Sequence, residues 1–76
     1  MYIVAYLSHF GKYPELGTVL VAHSMEEAVQ MAAALVLAQY EGEVPPDRAD
    51  VVHELELDTN FAIPGRNWSV CIGTVG

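Results

Sequence analysis

Apolar and polar positions recur along the chain with spacings that predict its elements. Tyr2 to His9 (YIVAYLSH) is rich in β-branched and aromatic residues and runs into Phe10 to Gly17, which carries turn formers at both ends. This predicts a strand and then a loop. Thr18 to His23 (TVLVAH) predicts a second strand, antiparallel to the first, because a loop of about eight residues closes a hairpin and is too short for a parallel crossover. Ser24-Met25-Glu26-Glu27 is a capping box: the Ser24 hydroxyl takes the free amide of Glu27 while the Glu27 carboxylate reaches back to the Ser24 amide. A helix then runs from Met25 to about Tyr40, and Gly42 with Pro45-Pro46 stops it.

The stripe Ala28, Val29, Ala32, Leu35 and Val36 has helical spacing and faces the sheet in this reading. The opposite side, with Ala33 and Leu37, is only weakly polar, so Ala33, Leu37 and Met31 are candidates to meet a partner or a second subunit. Glu41 to Asp50 predicts a connector, since its two prolines favour extended backbone. Val51 to Asp58 (VVHELELD) alternates, with Val51, His53, Leu55 and Leu57 on one side and Val52, Glu54, Glu56 and Asp58 on the other, which predicts a half-buried strand. Thr59 to Arg66 is a loop in which Pro64-Gly65 suits the centre of a type II turn. Trp68 to Thr74 is the last strand, with Trp68, Val70 and Ile72 inward.

Together these elements predict an α+β, two-layer ββαββ fold: a four-stranded antiparallel sheet with one helix on one face, as a single domain spanning residues 1–76. One helix leaves the other face open. Tyr2 and Tyr6 are expected to point outward there, since a phenol hydroxyl wants a polar partner and the aliphatic set packs better under a helix. That arrangement places tyrosines beside Glu54, Glu56 and Asp58 on one exposed sheet.

Composition sharpens this. Hydrophobic residues make up 53% of a 76-residue chain, more than so small a domain hides easily, so the surplus is expected either as scattered surface side chains or, in part, at an interface. No apolar run approaches the length of a membrane span, and the first residues lack the basic and small-residue pattern of a secretory signal. A soluble, cytoplasmic protein is the expectation.

The net charge is −7, with Lys12, Arg48 and Arg66 against ten acids. Direct nucleic-acid binding is not expected, because Lys and Arg supply the affinity for phosphates. Glu41, Glu43, Asp47, Asp50, Glu54, Glu56 and Asp58 fall close together in the chain and suit a basic partner surface. Cys71 is the single cysteine, which excludes an internal disulfide and leaves no second thiol to share a metal. His9, His23 and His53 have no metal-ligand spacing. Cys71 has no activating helix end, so no nucleophilic centre is expected. No catalytic residue, cofactor or metal is assigned.

Two resemblances follow from the residues. Tyr13-Pro14-Glu15-Leu16-Gly17, then Ala22-His23-Ser24-Met25-Glu26-Glu27-Ala28, then Glu41-Gly42-Glu43-Val44-Pro45-Pro46 resemble the turn, helix start and helix exit of HicB-type antitoxins. That resemblance implies a protein that neutralises a small RNA-cleaving toxin. In size, acidity and element order, and in the Tyr-x-Val start and Glu-Glu-Ala helix entry, the whole chain resembles small phage and mobile-element proteins, among them anti-CRISPR proteins. It implies a non-enzymatic inhibitor, acting in a bacterial host as a monomer or homodimer, that occupies a basic nucleic-acid-binding surface of a CRISPR effector complex. The residues expected at that contact are Glu41, Glu43, Asp47, Glu54, Glu56 and Asp58, assisted by Tyr2, Tyr6 and Leu37.

Overall fold

The computed structural model describes residues 1–76. Strand β1 (Tyr2–Ser8) is followed by β2 (Glu15–Ala22), helix α1 (Met25–Ala38), helix α2 (Arg48–Leu57), β3 (Asn60–Ala62) and β4 (Trp68–Thr74). The strands form one antiparallel sheet in the order β2-β1-β4-β3. The predicted β1–β2 hairpin forms, whereas the strand that pairs with β4 in a hairpin is the short β3, not Val51 to Asp58, and β1 and β4 pair at the centre of the sheet. Pro64-Gly65 makes the expected turn: Gly65 has φ +86 and the Arg66 amide donates to the Ile63 carbonyl at 3.0 Å.

The capping box at the start of α1 is present in part. The Glu27 amide donates to Ser24 Oγ at 3.1 Å. The Glu27 carboxylate, however, accepts from the amide of His23 at 3.4 Å, one residue earlier than the expected Ser24 amide. The helix stops at Ala38, with Gln39 as its C-cap, and Gly42 takes the left-handed conformation at φ +78 just beyond.

The fold departs from ββαββ at Val51 to Asp58. That segment is helix, from Arg48 to Leu57, so the element order is ββααββ and the layer opposite the sheet holds two helices. Asp47 is its N-cap, accepting from the Ala49 amide at 2.9 Å. Val51 and Leu55, one turn apart, are its two buried residues, while Leu57 is 75% exposed. Eight residues with apolar positions 51, 52, 55 and 57 satisfy a period of 2 and a period of 3.6 almost equally. The local preferences of Arg, Ala, Glu and Leu together with the Asp47 cap favour helix, and burial of Val51 and Leu55 in the core makes the choice. Expected inside a strand, His53 is therefore exposed on α2, and β3 lies within the segment expected to be loop.

The second helix also accounts for the weakly polar back of α1. Gln30 lies beside Arg48, whose guanidinium donates to both the carbonyl and the side-chain oxygen of Gln30 at 3.2 and 3.1 Å. Ala33 is fully buried, and Met31 and Leu37 are half-buried against the core. These residues belong to the fold, and Leu37 is not a free contact residue.

Cross-strand register sorts the sheet into two faces. Val4, paired with Leu20 and Ile72, lies in the core cluster with Ala22, Phe61, Trp68 and Val70 beneath the helices. Tyr2 and Tyr6 share the face of Val4 and pack against that core, which corrects the expectation that they point outward. The cause is the size of the residues opposite. Ala28, Ala32 and Ala33 of α1 are small, so rings are needed to fill the layer between helix and sheet. Tyr6 stacks on Trp68 at 6.5 Å, Phe61 at 6.4 Å, and Tyr40 meets Trp68 edge-on at 6.3 Å.

The other face carries three cross-strand rows: Ile3 with Val21 and Gly73; Ala5 with Val19, Cys71 and Asn60; and Leu7 with Leu16, Ser69 and Ala62. Between Ala5 and Leu7 the register shifts, so that Gly17 and Thr18 bulge opposite Tyr6. No element covers this side.

Candidate protein-binding surface

The acidic residues gather on the helical layer. Helix α2 carries Asp50, Glu54 and Glu56, and Asp47 and Asp58 cap its two ends. All five are exposed, as are Glu41 and Glu43 in the connector that leads into it. The order of residues on a helix spreads the charges differently from a strand. Two residues apart on a strand share a face; on a helix they are about 200° apart. Glu54 and Glu56 therefore stand on opposite flanks of α2, not side by side.

Each flank has its own shape. Glu56 lies on a groove of about 390 Å³ between the helices, lined by Met25, Glu26, Val29, Gln30 and Val52 as well. Its floor is apolar and a carboxylate from each helix stands on it. On the far flank, Asp50 and Glu54, one turn apart, line a depression of about 220 Å³ with Tyr40, Pro46, Val51, Phe61 and Ile63. Glu54 also borders a hollow of about 280 Å³ with Leu57, Asp58, Asn60, Phe61 and Ala62.

Not every carboxylate is available to a partner. Glu43 is held by Arg66 at 2.7 Å, in a two-pronged contact whose second hydrogen bond is 3.2 Å. The Arg66 hydrogen bonds and charge hold the Glu43 carboxyl below its ordinary value and, reciprocally, raise that of Arg66. The Arg66 guanidinium also lies 5.8 Å from the centre of the Tyr40 ring, so this pair fastens the interhelical connector to the β3–β4 turn. Asp47 is occupied as N-cap. Asp58 accepts from the Asn60 amide at 3.0 Å and turns the chain from α2 into β3. Glu41, Asp50, Glu54, Glu56 and, from α1, Glu26 accept no hydrogen bond from the chain's own side chains or amides.

Of the residues expected at a contact, Glu54 and Glu56 are thus on the helical surface and free, and Glu41 is free in the connector. Glu43, Asp47 and Asp58 share that side but have structural partners. Tyr2, Tyr6 and Leu37 are elsewhere, in or against the core. Sequence reasoning missed Glu26 and the apolar groove floor of Met25, Val29 and Val52. The signal that would have found them is Asp47 as a helix cap: a helix over residues 48–57 puts Val52 and Glu56 on one side, one turn apart.

His9 Nε2 lies 2.8 Å from Ser69 Oγ, at one end of the uncovered sheet face. Neither of the two lines any of the three depressions. No three of the His, Cys, Asp and Glu side chains come together as a metal site would require. No helix is long and apolar enough to cross a membrane.

Compared with protein-family models, with curated proteins and with solved structures, the chain matches none.

Proposed function

We propose that this chain is a non-enzymatic inhibitor that uses its acidic helical layer to occupy a basic, nucleic-acid-binding surface of another protein. By resemblance, that protein is a CRISPR effector complex. The observation that carries the reading is the groove between α1 and α2, in which Glu26 and Glu56 stand over a floor of Met25, Val29 and Val52. A lysine or arginine side chain has the same division, an apolar stem ending in a cation. The stem would lie on the floor and the cation between the carboxylates. Glu54 and Asp50 on the far flank extend the negative surface beyond that groove, so that several phosphate-binding cations are engaged at once.

The test is target cleavage by a guide-loaded CRISPR effector complex, titrated with the parent protein and with Glu54→Lys, Glu56→Lys and the double variant. Charge reversal at Glu56 is expected to weaken inhibition about tenfold and reversal of both more, since surface charges of this kind act on association. Inhibition by the parent should weaken as salt rises, and that salt dependence should flatten in the double variant. Full inhibition by the double variant would remove the acidic layer from the contact. Because Glu54 and Glu56 are on separate flanks, the two single variants also tell which flank is used.

A further inference from the structure

We infer that the uncovered face of the sheet seats a second copy of the same chain, sheet against sheet, with the acidic helices outermost. This does not rest on the proposed function, because it uses the opposite side of the molecule.

The exposed apolar side chains are the first ground. Ten large hydrophobic residues are exposed, and Leu16, Val19 and Val21, at 64%, 44% and 49%, belong to the uncovered face by their register. Met1 and Val75 extend it: the Val75 amide donates to the Met1 carbonyl at 3.0 Å, one step beyond the Tyr2–Thr74 pair, and the two are 62% and 42% exposed. Half of the exposed large hydrophobics thus lie on one side of the slab, beside the half-buried Ile3 and Leu7. The concentration, not the number, marks an interface.

Charge selects the occupant. None of the strand positions on this face is Asp, Glu, Lys or Arg, although the chain carries −7 overall. A second copy repels the first from nearly every direction, and this neutral face is where the two can meet without opposing carboxylates. The molecule is only 18 Å through its thin dimension. With sheets packed about 10 Å apart, the two helical layers stand on the outsides of the pair, separated by several Debye lengths of about 8 Å at physiological salt.

Area agrees with a modest dimer. Strands about 4.8 Å apart rising about 3.3 Å per residue give a face of about 400 Å² for this sheet, whose fourth strand is short. Two copies then bury about 800 Å², below the size of a stable specific interface and in the range of weak, transient association. The dimer is accordingly one that forms at high concentration and dissociates on dilution. Cys71 lies in the middle row of the face, paired with Ala5, and reports its burial.

The experiment is sedimentation velocity from about 5 to about 500 µM, with Val19→Glu and Glu56→Lys alongside the parent. The parent mass is expected to rise from 8.3 kDa toward twice that value. Val19→Glu, which places a carboxylate in the middle row of the face on its edge strand β2, should stay at 8.3 kDa throughout, with far-UV circular dichroism establishing that it is folded. Glu56→Lys, on the outer layer, should dimerise at least as well as the parent. The second readout needs no variant: alkylation of Cys71 in the parent should slow severalfold across the same range. A parent that remains monomeric at the highest concentration overturns the inference and leaves the face to a different protein. So does a folded Val19→Glu that dimerises like the parent, or a Cys71 alkylation rate that does not change with concentration. Dimerisation and inhibition are read separately, so failure of either leaves the other standing.

Discussion

Leu55 and Leu57 are two residues apart and chemically identical, which makes them a sharp test of the architecture. Were residues 51–58 a strand, both would point into the core and truncation of either would be costly. On α2 they stand about 200° apart: Leu55 is fully buried and Leu57 is 75% exposed. Leu55→Ala removes buried methyl groups and leaves a cavity, which costs about 3 kcal/mol, within the 2–5 kcal/mol range for such changes. Leu57 retains only a quarter of its burial and no cavity forms, so Leu57→Ala costs about 0.5 kcal/mol, further reduced by the better helix propensity of alanine. A domain of this length has a total stability of about 4–11 kcal/mol. The first change therefore removes a large part of it and the second almost none. Urea unfolding followed by Trp68 fluorescence measures both. At about 4–8 °C per kcal/mol for a domain of this size, Leu55→Ala should melt at least 10 °C below the parent, and Leu57→Ala within a few degrees of it. Equal losses from the two substitutions would refute the helical assignment of α2, and with it the separation of Glu54 from Glu56 that the inhibition assay relies on.

Two further outcomes are expected. A Cβ at Gly17 would sit 2.8 Å from Tyr6 Cδ1 and 3.3 Å from the Tyr6 carbonyl oxygen, so Gly17→Ala displaces a ring packed against the core and should cost about 1–3 kcal/mol; Gly73→Ala, where nothing lies within 4 Å, should be close to neutral, and both are read from the same urea curves. The Glu43 carboxyl is lowered in the folded state by Arg66, so its contribution to stability is present above the unfolded-state value and disappears as pH falls through the folded one; Glu43→Gln should therefore flatten the acid limb of a pH–stability profile between about pH 5 and pH 3, and added salt should shrink the difference from the parent, because the pair is at the surface. An acid limb unchanged by the substitution would mean that the Arg66 contact has no energetic weight.

Much of the scaffold was legible in the residues. Ser24 with Glu27 marked the start of α1, Pro64-Gly65 marked the β3–β4 turn, and Trp68, Val70 and Ile72 marked the inward side of β4. Each of these signals is local, resting on a hydroxyl within reach of an amide, on a glycine at positive φ or on strict alternation along one strand. The acidic character of the candidate surface was equally plain, because charge is a property of the sequence before it is a property of the fold.

What lay beyond the sequence were the questions that need a partner across space. Val51 to Asp58 is too short for its periodicity to separate helix from strand, and it is the docking of Val51 and Leu55 into a core shared with α1 and Phe61 that makes the choice. Which side of β1 is buried could not be read from Tyr2, Val4 and Tyr6 alone, since either face of that strand is apolar; the small alanines of α1 require the bulky set opposite them. The uncovered face then follows by exclusion, assembled from Leu16, Val19 and Val21 of one strand and their partners on two others. Composition announced an apolar excess, but only strand register could gather it onto one side, away from the carboxylates.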